Sequence, residues 1–183
     1  GVRALEEMIR ASDSLLPEAF SLSFPDNTKR FAQGDVFACI GWGGTQKILS
    51  AASSKVKKNL LHALPPGGGR GENTFDLSYF NWGWSYVVCT SSTQADLAYL
   101  FALFASGPQA STLAIRQANG FFDPTRTEHY ADAGIIDVYS KPFLDVHKTA
   151  MVRSMPDFYL KGRVEYFAAL SEGLELALQG ELG

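Results

Sequence analysis

Phe31-Ala32-Gln33-Gly34-Asp35-Val36-Phe37-Ala38-Cys39-Ile40-Gly41-Trp42-Gly43-Gly44 sets the frame for the rest of this 183-residue chain. A helical pattern leading into the run is closed by Gly34, a residue free to take the left-handed conformation that ends helices. The apolar residues Val36 to Ile40 then read as a buried strand, which opens onto Trp42 and two glycines. Open α/β sheets place ligands beyond the carboxyl ends of their strands. A flat aromatic there, beside glycines that admit a close approach to the backbone, makes a candidate binding surface.

Upstream, Ala4, Leu5, Met8 and Ile9 recur at helical spacing among Arg3, Glu6, Glu7 and Arg10, predicting an amphipathic first helix that stops near Asp13 to Pro17. Asp26 or Asn27 caps the helix that ends at Gly34. Downstream, a short helix over about 45–53 precedes Lys55-Val56-Lys57-Lys58, a solvated basic face without assigned function. Leu60 to Leu64 reads as a strand ending at Pro65-Pro66. The glycine-rich segment 65–74 reads as a flexible, hairpin-like loop, since no Lys-Ser or Lys-Thr pair follows it as a phosphate cradle requires.

Phe75 to Thr90 is a β-branched and aromatic run broken by Gly83. Ser91-Ser92-Thr93 then caps an apolar helix over 94–106, Gly107-Pro108 punctuates, and a second helix covers about 109–117. Asn119 to Pro124 forms a turn, a short helix passes through Thr127 and Tyr130, and 139–152 is helical despite Pro142. The last helix, 160–182, carries the stripe Leu160, Val164, Phe167, Leu170, Leu174 and Leu178. The chain opens at Gly1 inside a helical pattern and reads as a processed or excised segment.

The composition is 46% hydrophobic and 19% charged, enough apolar material for a core. A net charge of −3 with scattered basic residues gives no footprint for nucleic acid and no polybasic membrane patch. No apolar run approaches the roughly 20 residues of a membrane span, so membrane insertion is not expected. Cys39 and Cys89 lie in apolar runs and read as buried thiols, with a disulfide left open.

In order, these pieces resemble one family. The pattern Phe-x-x-Gly, strand, Trp; a strand ending in Pro; a Gly loop; an aromatic-glycine strand; Ser-Ser-Thr before an apolar helix; Ala105-Ser106-Gly107-Pro108-Gln109; and Gly120-Phe121-Phe122-Asp123-Pro124-Thr125-Arg126 before a Tyr-bearing final helix is similar to the carboxyl-terminal half of the family 1 extracellular solute-binding proteins. These maltose-binding-protein-like proteins capture ligands for ABC importers, and the resemblance covers nearly the whole chain. It implies an α/β, type II periplasmic-binding-protein-like fold of two lobes, here a partial chain rich in helices around short mixed sheets. Family members are about twice as long, so residues 1–183 would be a carboxyl-terminal portion contributing to both lobes.

The resemblance also implies a site. Trp42 falls where the family sets an aromatic against a sugar, Asn81, Trp82 and Trp84 where a glycine-bearing strand passes the cleft, and Tyr166 where a second stacking aromatic is common. Phe122 borders the cleft with Asp123, and Arg163 is placed as a polar partner. Stacking suits a pyranose, whose C–H face an aromatic ring covers while polar groups take the hydroxyls. Each side chain also has a packing reading: Trp42 as a plug beside its strand, Trp82 and Trp84 as a shared strand face, Tyr166 as a core tyrosine, Arg163 and Asp123 as solvated surface.

An enzyme is not expected. His62, His129 and His147 are dispersed, and neither a zinc-binding His-Glu-x-x-His, a Cys-x-x-Cys nor a Gly-x-Ser-x-Gly elbow occurs. No cofactor and no metal are implied. The expected function is the extracytoplasmic solute-binding component of an ABC importer. It would be periplasmic or extracellular, free or lipid-anchored in the full-length protein, and bind a small ligand of the carbohydrate class that passes to a transporter permease. The alternative is a non-catalytic protein-interaction module derived from the same fold.

Overall fold

The computed structural model describes residues 2–65, 67–70, 73–75, 79–81, 83–156 and 160–181. In chain order, α1 (Val2–Ser12) is followed by a 3-10 turn at Ala19–Ser21, by α2 (Phe24–Gln33), and by a second 3-10 turn at Gly43–Thr45 that runs into α3 (Gln46–Ser50). Three short strands come next, β1 (Gly68–Arg70), β2 (Asn73–Phe75) and β3 (Tyr79–Asn81). The remainder comprises α4 (Ala95–Ser106), α5 (Pro108–Arg116), a 3-10 turn at Thr127–Ala131, α6 (Ala133–Tyr139), α7 (Lys141–Val152), β4 (Ser154–Pro156) and α8 (Arg163–Leu178).

The helix punctuation follows local chemistry. Gly34 ends α2 at φ 83°, its N–H donating to the carbonyls of Arg30 and Phe31. Pro108 and Pro142 sit in the first turns of α5 and α7, where a missing N–H costs no helical bond. Asp132 caps α6 by accepting from Ile135 N at 3.0 Å, and Arg116 grips the same carboxylate through Nε at 2.9 Å and a terminal nitrogen at 2.5 Å.

Strand expectations fare differently. Val36 to Ile40 is irregular, and Ile40 is 81% exposed instead of buried. An apolar run becomes a strand only when a neighbour accepts its hydrogen bonds, and among the described residues none flanks it. Leu60 to Leu64 is likewise irregular. Of the run 75–90, only Phe75 and Tyr79–Asn81 are strand among the described residues, and 83–89 are not. β1 and β2 form an antiparallel pair across the expected loop, with Gly68 opposite Phe75, and β3 pairs with β4 in parallel, Tyr79 opposite Ser154. Nothing in two three-residue pairs identifies a type II binding-protein fold, which rests on the sequence resemblance alone.

The chain divides into two compact units, Gly1–Leu22 with Asp157–Gly183, and Ser23–Pro156. In the first, α1 packs against α8. Of the expected stripe of α8, Leu160, Val164 and Leu170 are exposed and Phe167, Leu174 and Leu178 are half-buried, while the buried residue, Ala177, lies off it. Gly162, at φ 82°, starts the helix after Leu160, which therefore lies outside it.

In the second unit, α6 packs against α3, α5 and α7, and α2 against α3. The core is Ile115, Ile135, Tyr139 and Leu144, flanked by Tyr130, Ile136, Val138 and Phe143. α4 is apolar all round yet has no buried residue, and Leu97, Tyr99, Leu100, Phe101, Leu103 and Phe104 are each more than half exposed. Both thiols are free, and Cys89 is exposed instead of buried.

Candidate functional site

Trp42 is held from its backbone outward. Its carbonyl accepts from Thr45 N at 3.1 Å and from Thr45 Oγ1 at 2.6 Å, fixing the entry to the 3-10 turn. Its indole lies 4.1 Å from the Phe24 ring, centroid to centroid, tilted by 31°, and is still 56% exposed. Trp42 is thus a braced surface aromatic and not a core plug.

The two glycines after it serve the chain's own packing. A Cβ on Gly43 would stand 2.6 Å from Asp123 Oδ1, and one on Gly44 would stand 2.9 Å from the Phe121 carbonyl oxygen. The close approach expected for a ligand is therefore taken by the loop Phe121 to Asp123. That contact sets the segment bearing Trp42 against the segment bearing Phe122, whose side chain is 55% exposed.

Beneath this junction lies a half-buried polar cluster. Tyr139, fully buried, donates its hydroxyl to the Phe122 carbonyl at 2.5 Å and stands 3.1 Å from Asp123 Oδ1. One phenol carries one proton, so both oxygens are satisfied by a shared bond or by a proton on the carboxyl itself. Burial pushes the Asp123 carboxyl above its ordinary value, against the opposing pull of His147, Tyr139, the Gly44 N–H and Lys47. Burial likewise pushes His147 down, and its Nδ1 pairs with the Tyr130 hydroxyl at 2.9 Å. Tyr130 is pushed up to about 12, first by burial and then by the Asp123 charge.

Lys47 completes the cluster. It is almost fully buried, donates to the Gln117 carbonyl at 2.9 Å and lies over the Tyr139 ring at 5.1 Å. Burial lowers its pKa while Asp123 raises it. His129 is structural: its Nδ1 accepts from the backbone N–H groups of Thr125 at 3.2 Å and Arg126 at 3.3 Å. No group of three His, Cys, Asp or Glu among the described residues is placed to hold a metal.

Trp84 is 91% exposed on an irregular segment. Asn81 ends β3 opposite Pro156, and Trp82 lies outside the described residues. Arg163 and Tyr166 belong to the other unit, where both engage Phe167: the Arg163 guanidinium lies 5.1 Å from the ring centre, and Tyr166 meets the ring edge-on at 5.8 Å. Tyr166 is 66% exposed, a surface ring and not a core one.

Lys47, Tyr130, Tyr139 and His147 were missed as a group. A lysine before Ile48 and Leu49 is the one local hint, being charged where the helix turns inward, and nothing in the sequence links it to Asp123. No protein-family model, curated protein or solved structure matches the chain.

Proposed function

We propose that this chain is part of an extracytoplasmic solute-binding component of an ABC importer, periplasmic or extracellular, which captures a small carbohydrate without transforming it and passes it to a permease. The two-lobed type II fold belongs to the same proposal. One observation carries most of the weight: Trp42 is exposed, braced by Phe24 and Thr45, and fixed beside the loop that bears the exposed Phe122. A rigid, solvent-facing ring can cover the C–H face of a sugar without first being ordered, which removes a cost of binding. The resemblance to the family 1 solute-binding proteins supplies the ligand class.

Tryptophan fluorescence during titration with a panel of mono- and oligosaccharides tests it, on the unaltered chain and on Trp42→Ala. A saturable change that vanishes in Trp42→Ala is expected. A folded chain that responds to no sugar overturns the reading.

The protein-interaction module is favoured by a different feature, the exposed apolar surface of α4. A helix that is apolar all round is ordinarily buried. On that reading Phe104→Glu abolishes association with a protein partner, and Trp42→Ala leaves it intact.

A further inference from the structure

The helix α4 carries one charge, Asp96, in its first turn. Its small residues mark the inner side: Ala98, Ala102 and Ala105 are half-buried, and α4 packs against α5. Away from them, Leu97, Leu100, Phe101 and Phe104 are exposed by 62%, 57%, 61% and 71%. Their spacing of i, i+3, i+4 and i+7 lines them up as one stripe, the kind of seam along which helices pair. The outer face of a surface helix is ordinarily polar, so four large apolar side chains in a row form a face without its partner.

The extent of the face is that of a protein interface. Tyr86 widens the stripe: its ring meets that of Phe101 edge-on at 6.1 Å, and half of the side chain stays exposed. Together these five side chains present roughly 600 Å² of apolar surface, at the upper limit for a monomer and close to the roughly 800 Å² each partner gives to a standard interface.

The charges at the two ends of the helix identify the partner. Asp96 is exposed at the amino end, and at the carboxyl end the Arg126 guanidinium donates to the Ser106 carbonyl at 2.8 Å. Neither charge forms an ion pair among the described residues. Ten residues separate Asp96 from Ser106, about 15 Å of helix. With a second α4 laid antiparallel on the first, and the two-fold axis between Leu100 and Phe101, Leu97 stands opposite Phe104 of the second copy. Asp96 then falls opposite Ala105 and Ser106 of that copy, at the end that holds its Arg126. Symmetry repeats the match at the other end, because a two-fold contact uses the same patch on both chains. A parallel pairing would instead set Asp96 against Asp96.

We propose that α4 is the seam of a symmetric dimer of this chain, in which two copies pair antiparallel through Leu97, Leu100, Phe101 and Phe104 and Asp96 of each meets Arg126 of the other. The contact lies wholly in the second unit and uses none of the residues of the Trp42 surface, so it stands whether or not the chain binds a sugar. It gives the apolar helix an occupant without making the chain an interaction module for other proteins.

Sedimentation equilibrium of the whole chain tests it, with circular dichroism to confirm that each variant is folded. A mass of twice 19.9 kDa is expected, and Phe104→Glu should return it to 19.9 kDa. Asp96→Arg sets an arginine against Arg126, and Arg126→Glu sets a glutamate against Asp96, so each variant alone should dimerise at least about tenfold more weakly. An equimolar mixture of the two should recover the dimer, because both ends then join opposite charges. Trp42→Ala should dimerise as the parent does. A folded parent chain that stays at 19.9 kDa at every concentration overturns the proposal, as does a dimer indifferent to Phe104→Glu. A mixture that associates no better than either variant overturns the antiparallel arrangement.

Discussion

Gly43 approaches Asp123 so closely that a Cβ on the glycine would stand 2.6 Å from the carboxylate oxygen, although 80 positions separate the two residues. The neighbouring Gly44 has the Phe121 carbonyl against it at 2.9 Å. Gly44→Ala must push a backbone aside and is expected to cost about 1–3 kcal/mol, the usual penalty of overpacking. Gly43→Ala meets the Asp123 carboxylate, which Tyr139 and the Gly44 N–H hold in place, and should cost a similar amount. Gly83, with open space around its Cβ position, is the control, and Gly83→Ala should stay within about 0.5 kcal/mol of the parent. Chemical denaturation of the three variants checks the order, and equal losses at Gly44 and Gly83 would refute it.

Tyr139→Phe removes the hydroxyl that bonds the Phe122 carbonyl and faces Asp123. The ring and its stacking on Phe143 at 5.4 Å are kept, so the expected loss of about 1–3 kcal/mol is that of stranding a buried acceptor. Ile135→Ala, at a fully buried core position, should cost more, about 2–5 kcal/mol. A Tyr139→Phe variant as stable as the parent would show that the hydroxyl is dispensable.

Phe24→Ala takes away the ring against which Trp42 leans. The Trp42 indole should become more accessible to acrylamide, and any carbohydrate response should weaken by roughly the 0.5–1.5 kcal/mol an aromatic pair contributes. Unchanged quenching would mean that Phe24 does not brace it.

His62, His129 and His147 are each pushed below the ordinary imidazole value by burial. Between the depressed values and about 6.5 the folded chain binds fewer protons than the unfolded one, so stability rises with pH and is lost as pH falls through that window. Asp123 is shifted the other way: an acid with a raised value favours the folded state at low pH, and this contribution fades as pH climbs above about 4. Three bases against one acid predict a melting temperature that declines as pH is lowered from about 7 toward 5. A flat profile over that range would contradict it.

Asp132 answers at lower pH. Its carboxyl is held down to about 2, chiefly by the Arg116 hydrogen bond. A depressed acid stabilises the fold above its unfolded value near 4 and loses that effect as pH falls toward 2. Asp132→Asn should remove this step while keeping an α6 cap, whereas Asp132→Ala should remove both and melt lower. Identical melting of the two variants would show that the cap contributes nothing.

Much of the helical architecture was legible residue by residue. Gly34 closes α2, Pro108 opens α5 and the apolar run after Ser92 is α4. Trp42, Trp84, Phe122 and Tyr166 were also named from the sequence, as parts of one cleft, and each ring is exposed. The Gly43–Asp123 contact sets the segment bearing Trp42 beside the segment bearing Phe122, and Arg163 and Tyr166 both engage Phe167 in the other unit.

The sequence by itself determined that one helix closes at Gly34 and that another runs through the apolar residues after Ser92, because a helix is closed by bonds four residues apart. The starts differ, α2 at Phe24 and not after a cap at Asp26 or Asn27, α8 at Arg163 and not at Leu160. Only the tertiary structure decided that Val36 to Ile40 stays irregular, that Gln46 and Lys47 are buried, and that the glycines beside Trp42 receive Asp123. A strand needs a partner, and a buried charge needs a neutralising neighbour. Both are supplied by residues far along the chain, and no local pattern records them.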